Sequence, residues 1–315
     1  MAVKFLFQMA TGRDAGCALS LTVIHHRRAS LVTASIQFAI NRICGSHMPF
    51  AAFAAMARRL AVRAIELRND LSGVEMRDGT PPADIAAIAS AHGLTIRSIN
   101  ALQRFDQYDA TREGEALTLV RYAADCGAQA LVLCPTNSSA DLRSAGQKYD
   151  DLVLALSGLQ PLLADHGLLG LVEPLGFAEC AVRRKSVAAR AIEQTTGAAC
   201  FALVHDTFHH HLAAEEMLFP ALTGLVHASG VEDPAIPVDR MRDPHRVLVG
   251  PADRLGNVRQ LSDLLAAGYA GYVSFEPFAD TIVSGADIER QLASSMAYLS
   301  AALAASSGAN DSSVR

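Results

Sequence analysis

The feature that most constrains the fold is an eightfold alternation of short apolar runs with longer helical stretches. The runs are SIQFAI (35–40), VRAIEL (62–67), LTIRSINAL (94–102), AQALVLC (128–134), LLGLVEP (168–174), ACFALVHD (199–206), LTGLVHASG (222–230) and GYVSFEPF (271–278). Each has the length and apolar density of a buried strand. Helical stretches follow at 50–60, 82–93, 115–127, 149–167 and 186–197, then in the histidine-rich segment after 206, at 257–268 and at 287–303. Gly93, Gly127, Gly167, Gly197 and Gly268 close five of these, as expected where a left-handed cap turns the chain toward the next strand.

Eight strand–helix units predict an α/β fold, a single-domain (β/α)8 TIM barrel over residues 34–305. A doubly wound sheet is the competing architecture, but no GxGxxG or GxxxxGK[ST] follows any strand. Residues 1–33 stand outside the repeat and are expected to be a poorly ordered N-terminal extension. The small, polar residues 306–315 are expected to form a flexible tail. The 315 residues are 50% hydrophobic and 19% charged with no Trp, which suits a large aliphatic core.

The balance of charge narrows the function classes. A formal net charge of -5 gives no basic footprint for nucleic acid or an anionic membrane. No apolar run reaches the roughly 18–20 residues of a membrane span. Six cysteines, at 17, 44, 126, 134, 180 and 200, never form CxxC, and four of them sit in or beside apolar runs as reduced core cysteines of a cytoplasmic protein do. The partners expected are therefore small molecules.

In such a barrel the reactive side chains stand where the strands end. Strand five ends in Glu173, strand six in Asp206, strand seven in His227 and strand eight in Glu276. Singly, each reads more simply as a cap or rim residue. Together, three converging carboxylates repel one another, and a divalent cation is the natural compensation. One imidazole and three carboxylates suit Mn, Mg or Co, and accommodate Zn.

The segments LVEPLGF, HDTFH, LVHASG, DPHRVLVGPADRLGN and YVSFEPF resemble the xylose-isomerase-like barrel superfamily of sugar isomerases and epimerases. FAINRIC and AIELRNDLSGVEM are similar to the first strands of its inosose (2-keto-myo-inositol) isomerases. The resemblance implies one divalent metal on Glu173, Asp206, His227 and Glu276, with Glu173 and Glu276 as the acid/base pair. It implies substrate contacts by His209, Arg246 and Glu179, inositol or other carbohydrate catabolism, and often a homo-oligomer. The implied chemistry is proton transfer on an α-hydroxy ketone through a cis-enediolate. Ketose 3-epimerase and hydroxypyruvate isomerase are the near alternatives; inosose dehydratase, metal-dependent endonuclease and a non-catalytic sugar-binding barrel are remoter. The endonuclease needs histidines after strands three and four, where this chain has Asn100 to Gln103 and Cys134-Pro135.

Arg42, Glu66, Arg68, Asn69 and Gln103, after the first three strands, are expected to line the pocket. Within HDTFHHH (205–211), period-two geometry turns His205 away from Asp206 to pack between strand and helix, and helical geometry turns His210 and His211 toward the surface or a subunit contact.

Overall fold

Eight parallel strands close into one barrel in sequence order, each hydrogen-bonded to the next and β8 to β1. The computed structural model describes residues 36–312. The extension expected at 1–33 and the last three tail residues lie outside the described residues. The strands are β1 (Gln37–Asn41), β2 (Ala64–Arg68), β3 (Thr95–Gln103), β4 (Ala130–Cys134), β5 (Leu169–Val172), β6 (Phe201–Asp206), β7 (Thr223–Ala228) and β8 (Tyr272–Phe275). The helices are α1 (Phe50–Arg59), α2 (Pro82–Ala91), α3 (Ala110–Cys126), α4 (Ala145–Asp165), α5 (Lys185–Gln194), α6 (Thr207–Ala213), α7 (Asn257–Ala266), α8 (Asp280–Val283) and α9 (Ile288–Ser312). The expected (β/α)8 TIM barrel is the fold. Among the described residues no helix is long and apolar enough to cross a membrane.

Strand alternation sorts the apolar side chains into two clusters. Outward residues such as Leu131, Leu133, Leu203 and Val226 pack against the helices. Inward residues Ala130, Val132, Leu171, Ala202, Val204 and Leu225 plug the barrel below the site. Because the side-chain period is two, the residue two further along each strand stands on the same inner face, one layer higher. Leu171 thus leads to Glu173, Val204 to Asp206, Leu225 to His227 and Ser274 to Glu276.

Gly93, Gly127, Gly167 and Gly268 have φ between 66° and 94°, the left-handed caps expected from sequence. Gly197 differs: its φ is -103° and it precedes a 3-10 turn, Ala198–Cys200. Its glycine requirement is space, since a Cβ there overlaps the side chain of Gln160. The last helix also runs further than the pattern ending at 303, its backbone continuing to Ser312.

One close approach fixes the site. Gly176, in the loop after β5, lies against the turn of α6 that carries His209: a Cβ would overlap the His209 carbonyl oxygen and come within 2.8 Å of Leu212 Cβ. Backbone has nowhere to yield. Gly176→Ala is therefore expected to lower stability by about 1–3 kcal/mol, the usual cost of overpacking. Calorimetry checks this, and an unchanged melting temperature would show that the loop is not held against α6.

Candidate metal and substrate site

Glu173 and Glu276 are the first residues past β5 and β8, and Asp206 and His227 end on β6 and β7, so all four reach one rim. Each is at most 4% exposed, and one ligand-competent atom from each lies within 4.8 Å of the others. Register makes this convergence strict: Asp206 pairs with His227, and His227 with Ser274, in adjacent strands.

Asp206 has two separate tasks. Its Oδ1 caps α6, accepting from the backbone N–H of Phe208 (2.8 Å) and His209 (3.0 Å). Its Oδ2 is left for the centre, where it accepts from Arg246 (2.7 Å). The cap thereby orients the carboxylate.

His227 lies between two sets of carboxylates. Its Nδ1 is 2.7 Å from Glu173 Oε1, 3.3 Å from Glu276 Oε2 and 4.0 Å from Asp206 Oδ2. Its Nε2 is 3.1 Å from Glu66 Oε2. Burial alone would lower the His227 pKa, but the charges of Glu276, Glu66 and Glu173 outweigh it and hold the imidazole well above its ordinary value. A proton satisfies the field here; a divalent cation on Nδ1, with Nε2–H donating to Glu66, satisfies the same field. The donor set therefore fits a metal.

Glu66, on β2, is fully buried beneath this group. Ser98 Oγ (2.6 Å), Asn100 Nδ2 (2.8 Å) and the Ser274 hydroxyl all donate to it. Burial would raise its pKa; His227 and the hydroxyl of Ser274 outweigh that effect and hold it at about 2. It is a fixed negative charge.

Two guanidiniums complete the balance. Arg68 forks onto Asp70 (2.8 and 2.6 Å) and donates to Glu276 Oε1 at 2.9 Å. Arg246 reaches Glu276 Oε2 at 3.1 Å and Ser229 Oγ at 2.9 Å. Phe278 contacts both cations, its ring centroid 5.1 Å from Arg68 Cζ and 4.6 Å from Arg246 Cζ. Burial opposes ionisation of Glu276, but His227, Arg246 and Arg68 hold its carboxyl well below the ordinary range.

Above the four residues opens a cavity of about 470 Å³, a size suited to a small ligand. Glu173, Glu276, His209 and Arg246 all line it, and Asp206 and His227 join Glu173 and Glu276 at its floor, so six of the seven site residues expected from sequence converge here. Glu179 does not: it is half-buried and off the cavity wall. The loop carrying it is tied to the β4–α4 loop, Ala181 N–H donating to Thr136 O at 2.8 Å and Cys180 bridging Asn137. Phe177 faces the cavity instead.

Of the expected lining residues, Arg68 and Gln103 face the cavity. Arg42 turns into a buried ion pair with Glu75 (2.6 Å), and Asn69 is spent on the backbone of Ala101. His205 packs outside the barrel as expected, bonded to Lys185 (2.7 Å) and Gln260 (2.9 Å). His210 departs from expectation: it is half-buried, its ring 4.7 Å from that of His205, because α6 lies close along the barrel wall. Cys134, read as an ordinary core thiol, donates to Glu173 Oε2 at 3.3 Å. Burial, reinforced by Glu173, pushes its pKa well up and keeps the proton on sulfur.

Asn41, Ser98, Asn100 and Ser274 were not singled out as polar supports. The signal was present, since all four interrupt otherwise apolar strands at inward positions.

Residues 54–302 match the family model described as xylose isomerase-like TIM barrel. No curated protein matches the chain in sequence. Among solved structures, a xylose isomerase domain containing protein from Salmonella typhimurium LT2 is 33% identical, with a TM-score of 0.77 over 84% of this chain and 97% of that one. An IOLI protein with a binding zinc atom aligns at 18% identity and TM-score 0.75, covering 85% of this chain and 98% of its own. D-psicose 3-epimerase from Clostridium cellulolyticum H10 aligns at 14% identity and TM-score 0.66, covering 85% and 99%. The match over most of the barrel and the 33% identity to the Salmonella protein place this chain in the xylose isomerase-like TIM barrel family.

Proposed function

We propose that the protein is a divalent-metal-dependent isomerase or epimerase of α-hydroxy ketones, acting on an inosose or a related sugar ketone. The observation that carries this reading is the convergence of Glu173, Asp206, His227 and Glu276 on the floor of a ligand-sized cavity. The zinc of the IOLI neighbour and the D-psicose 3-epimerase neighbour support it. Those four residues would hold the ion; Mn, Mg or Co suits three carboxylates and one imidazole, and Zn is accommodated. When bound, a divalent cation supplies Lewis-acid stabilisation of the charge that develops on the ketone oxygen.

The protein's own groups do the rest. Glu173 and Glu276 stand on non-adjacent strands, facing one cavity from two sides. One removes the proton from the carbon beside the carbonyl, giving a cis-enediolate. Return to the former carbonyl carbon, with the hydroxyl proton passing to the other oxygen, isomerises the ketone; return from the opposite face by the other carboxylate epimerises it. His209 and Arg246 donate to the substrate's oxygens and orient it. Uncharged Asn100, Gln103, Thr136, Asn137 and Ser138 on the wall suit a hydroxyl-rich ligand.

Glu173→Gln and Glu276→Gln are each expected to slow exchange of solvent deuterium into inosose by about 10²- to 10⁴-fold, the span of general acid–base catalysis. Unchanged turnover of inosose and ketohexoses in both variants would end the acid/base assignment. Chelation should abolish the exchange and added Mn restore it; activity that survives metal removal would overturn the metal reading. Glu66→Gln should weaken metal binding about 10- to 100-fold in a calorimetric titration, as loss of a group supporting a ligand histidine does. A strong preference for hydroxypyruvate over cyclitols in a substrate screen would replace the inosose assignment.

A further inference from the structure

Behind α6, away from the substrate cavity, Lys185 is buried, 4% exposed. Its ammonium donates to His205 Nδ1 (2.7 Å) and to Leu218 O (3.3 Å). The direction at His205 follows from Gln260, whose amide nitrogen is committed to Thr207 O and Leu255 O, so its Oε1 accepts from His205 Nε2–H. An ammonium has three N–H groups, and two are accounted for.

The third has an identifiable destination. A cavity of about 10 Å³ is lined by Lys185, Asp206, His209, His210, Arg183 and Glu215, among others. The Nδ1 atoms of His209 and His210 are both buried without a hydrogen-bond partner. The other polar groups on the wall already have partners. Glu215 accepts from the backbone N–H of Lys185 and Ser186 (2.8 and 2.9 Å), Arg183 donates to Gly176 O and Leu212 O (2.9 Å each), and Asp206 is divided between its cap and Arg246. The space is about one water, and a buried water needs two to four polar partners. Three remain.

We propose that this cavity binds one ordered water, which accepts from Lys185 and donates to His209 Nδ1, fixing the proton of His209 on Nε2 for the substrate cavity that the same ring lines. Lys185 is then a positioning residue: through water it makes His209 a hydrogen-bond donor toward the substrate's oxygens. That last step rests on the isomerase reading; the water and the tautomer do not. Burial pushes Lys185 down to about 7 against the pull of Glu215, so pH 6 is the condition at which its third N–H is kept.

The test is ¹⁵N NMR of histidine-labelled, full-length protein followed from pH 6 to pH 8, the tautomer being read on the neutral ring, with the His209 signals identified by their loss in His209→Gln. The expected wild-type result is an unprotonated Nδ1 and a protonated Nε2. In Lys185→Met the two shifts should approach each other as tautomers mix, and kcat should fall about 3- to 10-fold with little change in KM, the scale of one net hydrogen bond. A wild-type proton on Nδ1, shifts unmoved by Lys185→Met, or a high-resolution crystal structure with no water in the cavity would each overturn the proposal. The wild-type tautomer and the crystallographic water need no variant, so a misfolded Lys185→Met does not shelter it. Shifts that move while kcat stays constant would refute the role of His209 toward substrate and support the water.

Discussion

Like charge brought out of water is the constraint on which the rest of this structure depends. Glu66, Glu173, Asp206 and Glu276 are all less than 5% exposed in one barrel mouth. Four carboxylates so placed are tolerable only with cations and donors around them. The protein supplies His227 at the centre, Arg68 and Arg246 at the sides, and Asn41, Ser98, Asn100 and Ser274 below. Removing one partner of a buried pair of this kind costs about 3–5 kcal/mol, because the other is left uncompensated. Most polar choices on β1, β2, β3 and β8 answer to that single requirement.

The same requirement explains what was legible in the sequence. The barrel could be read because its strands are buried on both faces and its helices end in glycines, both local signals. The ligand quartet could be read because strand ends locate the rim without any knowledge of three-dimensional distance. His209 was implied by the resemblance of HDTFH to the family, and the structure sets it on the helix that Asp206 caps.

What stayed hidden depends on contacts remote in sequence. Lys185 sits where a helix was expected to begin, at 186, and nothing nearby marks it; its partners are Glu215, His205 and Leu218. Glu179 has the right spacing from Glu173, yet the loop's attachment to Thr136 decides which residue faces inward. Arg42 and Arg68 both stand near strand ends, but the register aligns Asn41 with Glu66, so Arg42 falls one position out of phase with Arg68 and turns to Glu75 and the carbonyls of Gly45 and Met48.

Phe278 ties two of these charges to the chain that follows β8. Its ring meets the guanidiniums of both Arg68 and Arg246, while the backbone N–H groups of Phe278 and Ala279 donate to Arg246 O at 2.9 and 2.8 Å. Arg246 is therefore gripped at both its side chain and its main chain by one short segment. The wall formed by β2, the β7–α7 loop and the segment after β8 is thus cross-linked through one ring, whereas the adjoining end of β3 presents Gln103 and Arg104 exposed and without such a tie to that ring.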